Sequence, residues 1–477
     1  MIADLKPYPE YQATRQVWLG DAPRHWSILP NRAIFAEVKD RNHQEEEMLS
    51  VTITRGIVQQ KALLAGSSKK DSSNQDKSAY KLVQPRDIAY NKMRAWQGAI
   101  GASDLRGIIS PAYVVMRLRD ARNLPRYFHH LCRTPQFAKE AERWSYGITS
   151  DMWSLRPEHF KMIYTPQPPP DEQAAIVRFL DWANGRLERA IRAKRKVIAL
   201  LTEQKQAIIH RAVTRGLDPR APVKPSGIPW LKQIPKHWVV QRLGRAIRLI
   251  TGFPFSSAGF SQSDNDVRLL RGINVTPSGV RWDTVVRWTR KPGDDLDEFA
   301  LQVGDIVLGM DRPIIGSGVR AATIEEKDTP SLLLQRVARL RPADSLDAKF
   351  LLLLLRGRLF ADYITPIFTG VSVPHLSPEQ IKGFKVPLPP VKEQNAIVVH
   401  IESATRGLNT VIARLEREIE LLREYRTRLV ADVVTGKLDV RETAMRLPDE
   451  GAPDIAEDSG IEEIVEVDEG MSQNYQL

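Results

Sequence analysis

The chain has 477 residues, 42% of them apolar, enough for two or three domains with sizeable cores. Its 69 basic and 58 acidic residues give a formal net charge of +11. No apolar run approaches the roughly 18 residues that a membrane helix needs, the longest being Phe350–Leu355. The opening Met1-Ile2-Ala3-Asp4-Leu5-Lys6-Pro7 lacks a signal-peptide core, and the single cysteine, Cys132, excludes an internal disulfide and a cysteine-based zinc site. The expected compartment is a reducing cytoplasm.

In chain order, residues 1–167 read as a first mixed domain of short strand-like and helix-like segments. A polar insert, Gly66-Ser67-Ser68-Lys69-Lys70-Asp71-Ser72-Ser73-Asn74-Gln75-Asp76-Lys77, reads as a loop tip within it. A proline-rich hinge opens a long helical segment, 168–216. Pro170 at the first turn, followed by Asp171 and Glu172 on the positive helix end, predicts a start near Asp171; Gly216, Pro219 and Pro222 predict its stop. A second mixed domain is expected over 217–388. Pro389-Pro390 then opens a second helical segment, 389–436, with a helix from about Lys392 to Val434. The tail, 437–477, reads as disordered. From Pro448 onward it holds Asp449, Glu450, Asp454, Glu457, Asp458, Glu462, Glu463, Glu466, Asp468 and Glu469, and no Lys or Arg. The body before it carries 69 basic against 48 acidic residues, a net +21 that suits a polyanion partner.

The second half repeats the first. Pro168-Pro169-Pro170-Asp171-Glu172-Gln173-Ala174-Ala175-Ile176-Val177 returns as Leu388-Pro389-Pro390-Val391-Lys392-Glu393-Gln394-Asn395-Ala396-Ile397-Val398, about 221 positions on and with one slip inside the stretch. Weaker echoes keep the same order. Pro23-Arg24-His25-Trp26 matches Pro235-Lys236-His237-Trp238. Asp87-Ile88 with Arg94 matches Asp305-Ile306 with Arg312. Gly147-Ile148-Thr149-Ser150 resembles Gly370-Val371-Ser372-Val373, and Leu155-Arg156-Pro157-Glu158 resembles Leu376-Ser377-Pro378-Glu379. A duplication of this size implies an approximate internal two-fold and a target that is itself in two halves. The fold class is therefore α+β: two similar mixed domains separated by two long antiparallel coiled-coil helices.

Steps of three and four give the helical seams. The first runs Ile176, Leu180, Ala183, Leu187, Ala190, Lys194, Val197, Leu201, Gln204, Ile208; the second runs Ile397, Ile401, Ala404, Leu408, Val411, Leu415, Glu418, Leu422, Tyr425, Leu429. One antiparallel register places Lys194 against Glu418, where the two charges would neutralise each other and fix the register. The same register sets Ala190 opposite Leu422, Leu201 opposite Val411, Ala183 opposite Leu429 and Ile208 opposite Ala404, so small faces large in several layers. About 40 helical residues span about 60 Å, enough to act as a ruler between two half-sites on duplex DNA.

Reaction chemistry is sparse. There is no P-loop, and Gly316-Ser317-Gly318 lacks the rest of a dinucleotide fingerprint. The Asn/Asp-Pro-Pro-Tyr/Phe motif of amino-methyltransferases is missing. The tripeptides Glu37-Val38-Lys39 and Glu325-Glu326-Lys327 stand without the upstream Pro-Asp of a nuclease site. The nine histidines form no zinc-binding spacing; His129-His130 reads as a surface or packing pair. His25 and His237, beside the repeated Trp26 and Trp238, read as packing residues at the start of each domain. No catalytic, cofactor-binding or metal-binding residue is assigned.

Two variable domains, each closed by a Pro-Pro-x-x-Glu-Gln helix, resemble the specificity (S) subunit of a type I restriction-modification system. The resemblance covers about Pro23 to Val440 and rests mainly on Pro169-Pro170-Asp171-Glu172-Gln173 and Pro389-Pro390-Val391-Lys392-Glu393-Gln394; the second copy has one extra residue after its prolines. Leu269-Leu270-Arg271-Gly272-Ile273-Asn274, followed by Gly279-Val280, also resembles the start of that family's target-recognition domains, without a clear counterpart in the first half. The resemblance implies a subunit that neither methylates nor cuts. Each domain would read one half of a bipartite site in double-stranded DNA. The helices would set the gap and dock two modification (methyltransferase) subunits carrying S-adenosylmethionine, and restriction (translocase/nuclease) subunits using ATP and Mg²⁺ would join through these.

Basic residues near aromatics are the expected DNA contacts, since Arg and Lys grip phosphate or read guanine edges. These are Tyr90, Asn91, Lys92, Arg94 and Trp96 in the first domain, and Arg271, Asn274, Arg312 and Arg320 in the second. Arg94 and Arg312 share a repeat position and could equally serve the fold. Two other readings remain open here: a coiled-coil scaffold that assembles protein partners without sequence readout, and a solitary methyltransferase or nuclease with an unrecognised site.

Overall fold

The computed structural model describes residues 5–64, 76–147, 153–316, 318–369 and 373–448. Most of the polar insert, the core of the Gly147–Ser150 and Gly370–Val373 echo, and the acidic tail lie outside the described residues. The chain divides into two compact units, 1–194 with 417–477, and 195–416. The division falls inside both long helices, so each unit holds the start of one helix and the end of the other.

The two units share a topology. In the first, strands β1 (Phe35–Val38), β2 (Ile88–Asn91), β3 (Ile100–Ala102) and β4 (Tyr113–Leu118) form an antiparallel sheet in the order β1-β4-β2-β3. Two helices follow, α1 (Pro125–Cys132) and α2 (Pro135–Arg143), each with proline in its first turn, where no amide donor is needed. Strand Tyr164–Gln167 then returns antiparallel to Ser27–Pro30 and leads into the long helix α3 (Pro170–Arg215). In the second unit β5 (Ile247–Thr251), β6 (Ile306–Gly309), β7 (Ala321–Thr323) and β8 (Val337–Pro342) take the matching order β5-β8-β6-β7. Helices α4 (Ala348–Arg356) and α5 (Arg358–Ile364) follow, then strand Lys385–Leu388 against Val239–Arg242, then the long helix α6 (Val391–Val434). The Asp-Ile echo has a physical cause. Asp87 accepts two hydrogen bonds from Arg117 at 2.7 and 2.8 Å, and Asp305 accepts two from Arg341 at 2.7 and 2.9 Å. Each aspartate is buried just before its strand and also caps a tight turn, from Gln84 N at 2.9 Å and Gln302 N at 2.8 Å.

The repeated Glu-Gln and His-Trp pairs are two parts of one anchor. Glu172, buried, lies 2.7 Å from His25 Nε2 and accepts from Trp26 Nε1 at 2.9 Å and from the Tyr8 hydroxyl at 2.5 Å. Glu393 lies 2.7 Å from His237 Nε2 and accepts from Trp238 Nε1 at 3.1 Å. Burial and the neighbouring Glu172 carboxylate push the Tyr8 phenol far above its ordinary range. The glutamines tie the long helix to the helix pair. Gln173 Oε1 accepts from Leu124 N at 2.8 Å, and Gln394 Oε1 accepts from Asp347 N at 2.8 Å. Gln173 Nε2 donates to Pro168 O and Gln394 Nε2 to Pro389 O, both at 2.9 Å. Structurally, then, Pro168 matches Pro389 and the repeat keeps a constant offset. The apparent slip is the third proline, Pro170, standing where the second copy has Val391.

Each core is completed by the end of the other long helix. In the first unit Phe35, Tyr90, Phe128, Phe137 and Phe160 pack with Ile176, Phe179 and Leu180 of α3, and with Leu429, Val433 and Val434 of α6. In the second, Trp238, Leu308, Phe350 and Phe384 pack with Ile397, Val398 and Ile401 of α6, and with Ile209, Ala212 and Val213 of α3. Each such buried side chain contributes on the order of 1.5–3 kcal/mol. Each helix ends on a left-handed glycine that touches an anchor: Gly216 (φ 71°) lies against Trp238 and Glu393, Gly436 (φ 80°) against Pro23 and Trp26.

The helices run antiparallel where they meet in the first unit. Lys194 Nζ donates to Glu418 Oε2 at 2.5 Å, and Arg426 pairs with Glu188, so higher numbers on one helix meet lower numbers on the other. Half of each expected seam is displaced by one residue. On α6 the shielded positions are Thr405, Ile412, Ile419 and Arg426, whereas Ala404, Val411 and Tyr425 are exposed. On α3 Ile191 is buried and Ile198 and Lys205 are half-buried, whereas Val197 and Gln204 are exposed. Lys194 and Glu418 are half-buried, with side chains 28% and 32% exposed. An ion pair with that exposure is worth at most about 1 kcal/mol.

His129 and His130 are a packing pair, with rings edge to face at 5.5 Å. His129 Nδ1 accepts from Ala102 N at 3.2 Å, and its ring fills the space left by Gly56 and Gly101. Burial, then the charges of His130, Arg133 and Arg126, hold its pKa well below the usual histidine value. The unfolded chain therefore binds the proton more readily than the folded one, and stability is complete above about pH 6.5 and falls as pH drops below it, by at most about 1.4 kcal/mol per pH unit. Urea unfolding followed between about pH 7.5 and 5.5 should show this loss, and His129→Gln should flatten it; an equally steep profile in the variant would remove His129 as its source.

Candidate nucleic-acid interface

One end of the first unit's sheet gathers cations from distant parts of the chain. Pairing of Val38 with Val115 and of Asn91 with Tyr113 brings the ends of β1 and β2 to the start of β4. Lys39 and Arg41 follow β1 directly, and Lys92 follows β2. Lys81 reaches the same place, donating to the carbonyls of Pro111, at 3.1 Å, and Tyr113. Burial first, then the charges of Lys92, Arg41 and Lys39, lower the Lys81 pKa. Two carboxylates lie among them: Glu37, shared between Lys161 at 2.9 Å and Lys39 at 3.5 Å, and Asp40, between Lys39 and Arg41 in the chain and 2.8 Å from His43 Nε2. Arg41 is exposed and Lys92 half-buried, and neither side chain makes a hydrogen bond or ion pair with a described residue.

The corresponding end of the second sheet, where Gly309 pairs with Val337, carries Arg312 and Arg336. Arg312 is exposed at φ 44°, a left-handed conformation that costs a non-glycine residue about 1 kcal/mol or more. Its amide holds that turn by donating to Pro374 O at 2.7 Å. Arg320 supports the turn from below, with Nη1 donating to Asp311 O and Nε to Val275 O, both at 3.0 Å. The Asp311 carboxylate lies 2.6 Å from His375 Nδ1 and 3.7 Å from the Arg336 guanidinium, which is 56% exposed.

The expected DNA contacts separate into two groups in the fold. Tyr90 is fully buried and stacked on Phe160 at 5.0 Å, with its pKa raised by burial; it is a core residue, not a DNA contact. Asn91 is buried and accepts from Met93 N, which shapes a turn. Asn274 is buried likewise, accepting from Arg271 N and donating to Arg281 O, so it too builds a turn rather than reading a base. Arg271 is committed to Thr284, at 2.8 and 2.9 Å, and Arg320 to the two carbonyls above. Trp96 donates to Met93 O and meets Trp153 edge to face at 5.5 Å, while Arg94 reaches Gln97 at 3.3 Å. Lys92 and Arg312 remain at the sheet ends. Lys39, Arg41 and Arg336 were not singled out as contacts from the sequence; alternating cations just past a strand end are their only sequence signal. Among the described residues no three His, Cys, Asp or Glu side chains group as a metal site, and no helix is long and apolar enough to cross a membrane.

Residues 251–421 match the family model of the type I restriction modification DNA specificity domain, which covers β6, β7 and β8, the turn and the cations of the second unit. Beyond that segment the chain is similar to type I restriction enzyme specificity subunits. It is 28% identical to the MjaVIII specificity subunit of Methanocaldococcus jannaschii over 59% of this chain and 64% of that one. It is 27% identical to the EcoAI specificity subunit of Escherichia coli over 54% of this chain and 44% of that one. The matched regions thus span less than two thirds of these relatives' own lengths. A solved chain, described under complex assembly and conformational transition of the type I R-M system, shares the fold, with a TM-score of 0.57 at 16% identity over 87% of this chain and 99% of that one. The resemblance read from the hinge motifs is borne out, and these matches do not favour a scaffold without sequence readout.

Proposed function

We propose that this chain is the DNA-specificity subunit of a type I restriction-modification complex. Each domain reads one half of a bipartite site in double-stranded DNA, and the paired long helices set the gap. The observation that carries the reading is the doubled architecture: two sheets of one strand order, each locked to its long helix by the same Glu-Gln anchor, with a DNA specificity domain matched in the second. A repeated body offers equivalent docking faces to two copies of one partner, which suits two modification subunits. In this reading the chain performs no chemistry; S-adenosylmethionine, ATP and Mg²⁺ belong to the methyltransferase and translocase/nuclease partners. The assembly works in the cytoplasm.

Long-read methylome sequencing of the host, with and without this gene, tests the proposal. The expected result is a split motif, two short half-sites around a fixed gap, methylated in the parent and unmethylated in the deletion strain. A methylome unchanged by the deletion overturns it.

A further inference from the structure

Resting on that reading, we infer that the same end of the four-stranded sheet in each domain is its DNA-backbone edge. Lys39, Arg41 and Lys92 supply the phosphate contacts in the first domain, and Arg312 and Arg336 supply them in the second. The argument begins with charge. Like charges held together repel, and a fold that gathers more cations than its carboxylates can neutralise gives up stability unless an anion arrives. In the first sheet the buried Lys81 ammonium is consumed by two backbone carbonyls, and Glu37 is already shared by Lys39 and Lys161. Arg41 and Lys92 are left without a described partner, at the edge where β1 and β2 end and β4 begins.

The second domain reaches the same arrangement with different residues. Arg312 is presented by a strained left-handed backbone, pinned through its amide to Pro374 and supported by Arg320 through Asp311 O. Strain of this kind persists where the surrounding structure enforces it, and it is typical of ligand-gripping turns. Arg336 stands just before β8 beside it, with its side chain about half exposed and only a 3.7 Å ion pair to Asp311. Two sheets of one topology that place more exposed cations than carboxylates at one equivalent end, through unrelated residues, indicate a shared demand from the ligand; Lys39 and Arg336 keep only long ion pairs, at 3.5 and 3.7 Å, that a phosphate can replace. Side chains of this type release counterions on binding, so each phosphate contact steepens the salt dependence of binding by about 0.9.

The test uses the full-length chain in its native complex, purified through a tag on this chain, and a labelled mixed-sequence DNA duplex titrated between about 50 and 200 mM salt. The K39Q/R41Q/K92Q variant should lose about 2–3 from the slope of log affinity against log salt, and R312Q/R336Q about 2. R122Q, in an exposed ion pair with Asp120 past the opposite end of β4, should keep the parent slope. K39R/K92R keeps the charge and should restore the slope, which separates loss of contact from loss of fold. Parent-like slopes in both Gln variants overturn this edge as the backbone contact and leave the function intact. A parent complex with no salt-dependent DNA binding overturns the function itself.

Discussion

Glu172→Ala should destabilise the first domain by about 3–5 kcal/mol in urea unfolding, the largest loss expected from any single carboxylate here. Glu172 is buried, and three donors converge on it: Tyr8, His25 and Trp26. Removing the acceptor strands the indole N–H and the phenol in a region closed to water, where each unsatisfied group costs about 1–3 kcal/mol. Glu393→Ala is the internal comparison. Glu393 holds only His237 and Trp238 and its side chain is 27% exposed, so water can replace part of what is lost. Its expected cost is about 1–3 kcal/mol. Equal losses, or a loss under about 1 kcal/mol for Glu172→Ala, would show that the anchor is not what closes the first domain.

Gly436→Ala should cost about 2–5 kcal/mol, because backbone and packing both oppose it. The residue sits at φ 80°, and an added Cβ would lie 2.3 Å from Pro23 Cδ and 3.1 Å from the Trp26 ring. A proline ring at that distance has no rotamer by which to retreat. Gly216→Ala shares the left-handed strain, at φ 71°, but its Cβ would meet Glu393 Oε1 at 3.1 Å and Trp238 at 3.3 Å. Its expected cost is about 1–2 kcal/mol. Gly407, in the body of α6 with nothing within 4 Å of a built Cβ, sets the opposite limit, and Gly407→Ala should stabilise by about 0.5–1 kcal/mol. Thermal melts of the three variants check the order. Gly436→Ala melting at the parent temperature would mean that the end of α6 is not docked on the first anchor.

The long helices were almost fully legible. Spans expected from Asp171 to Val213 and from Lys392 to Val434 are observed as Pro170–Arg215 and Val391–Val434. Their seams were half legible. Regular steps of three and four led to Val411 and Tyr425, whereas the shielded positions are Ile412 and Arg426. Arg426 is half-buried rather than enclosed, with its side chain 38% exposed and its guanidinium paired with Glu188. The anchor was visible as two separate echoes; that Glu172 receives His25 and Trp26 is a long-range fact that neither echo contains. Among the expected DNA contacts, residue type misled at Tyr90, Asn91 and Asn274, because an aromatic or amide beside basic residues suits a core or a turn as well as a groove.

Duplication, hinges and helix lengths belong to the sequence itself, since proline placement, capping and periodicity act within a few turns of chain. Which cations share an edge was decided only by tertiary structure. Lys39 and Lys92 lie far apart along the chain, and the strand order β1-β4-β2 brings them to the start of β4, where Lys81 joins through the carbonyls of Pro111 and Tyr113. The same holds for Gly436, whose left-handed turn has a purpose only when Pro23 and Trp26 are packed against it. Local signals persist in a linear reading because neighbouring residues create them; a charge cluster or a docking glycine exists only once strand pairing and packing have fixed which distant residues meet.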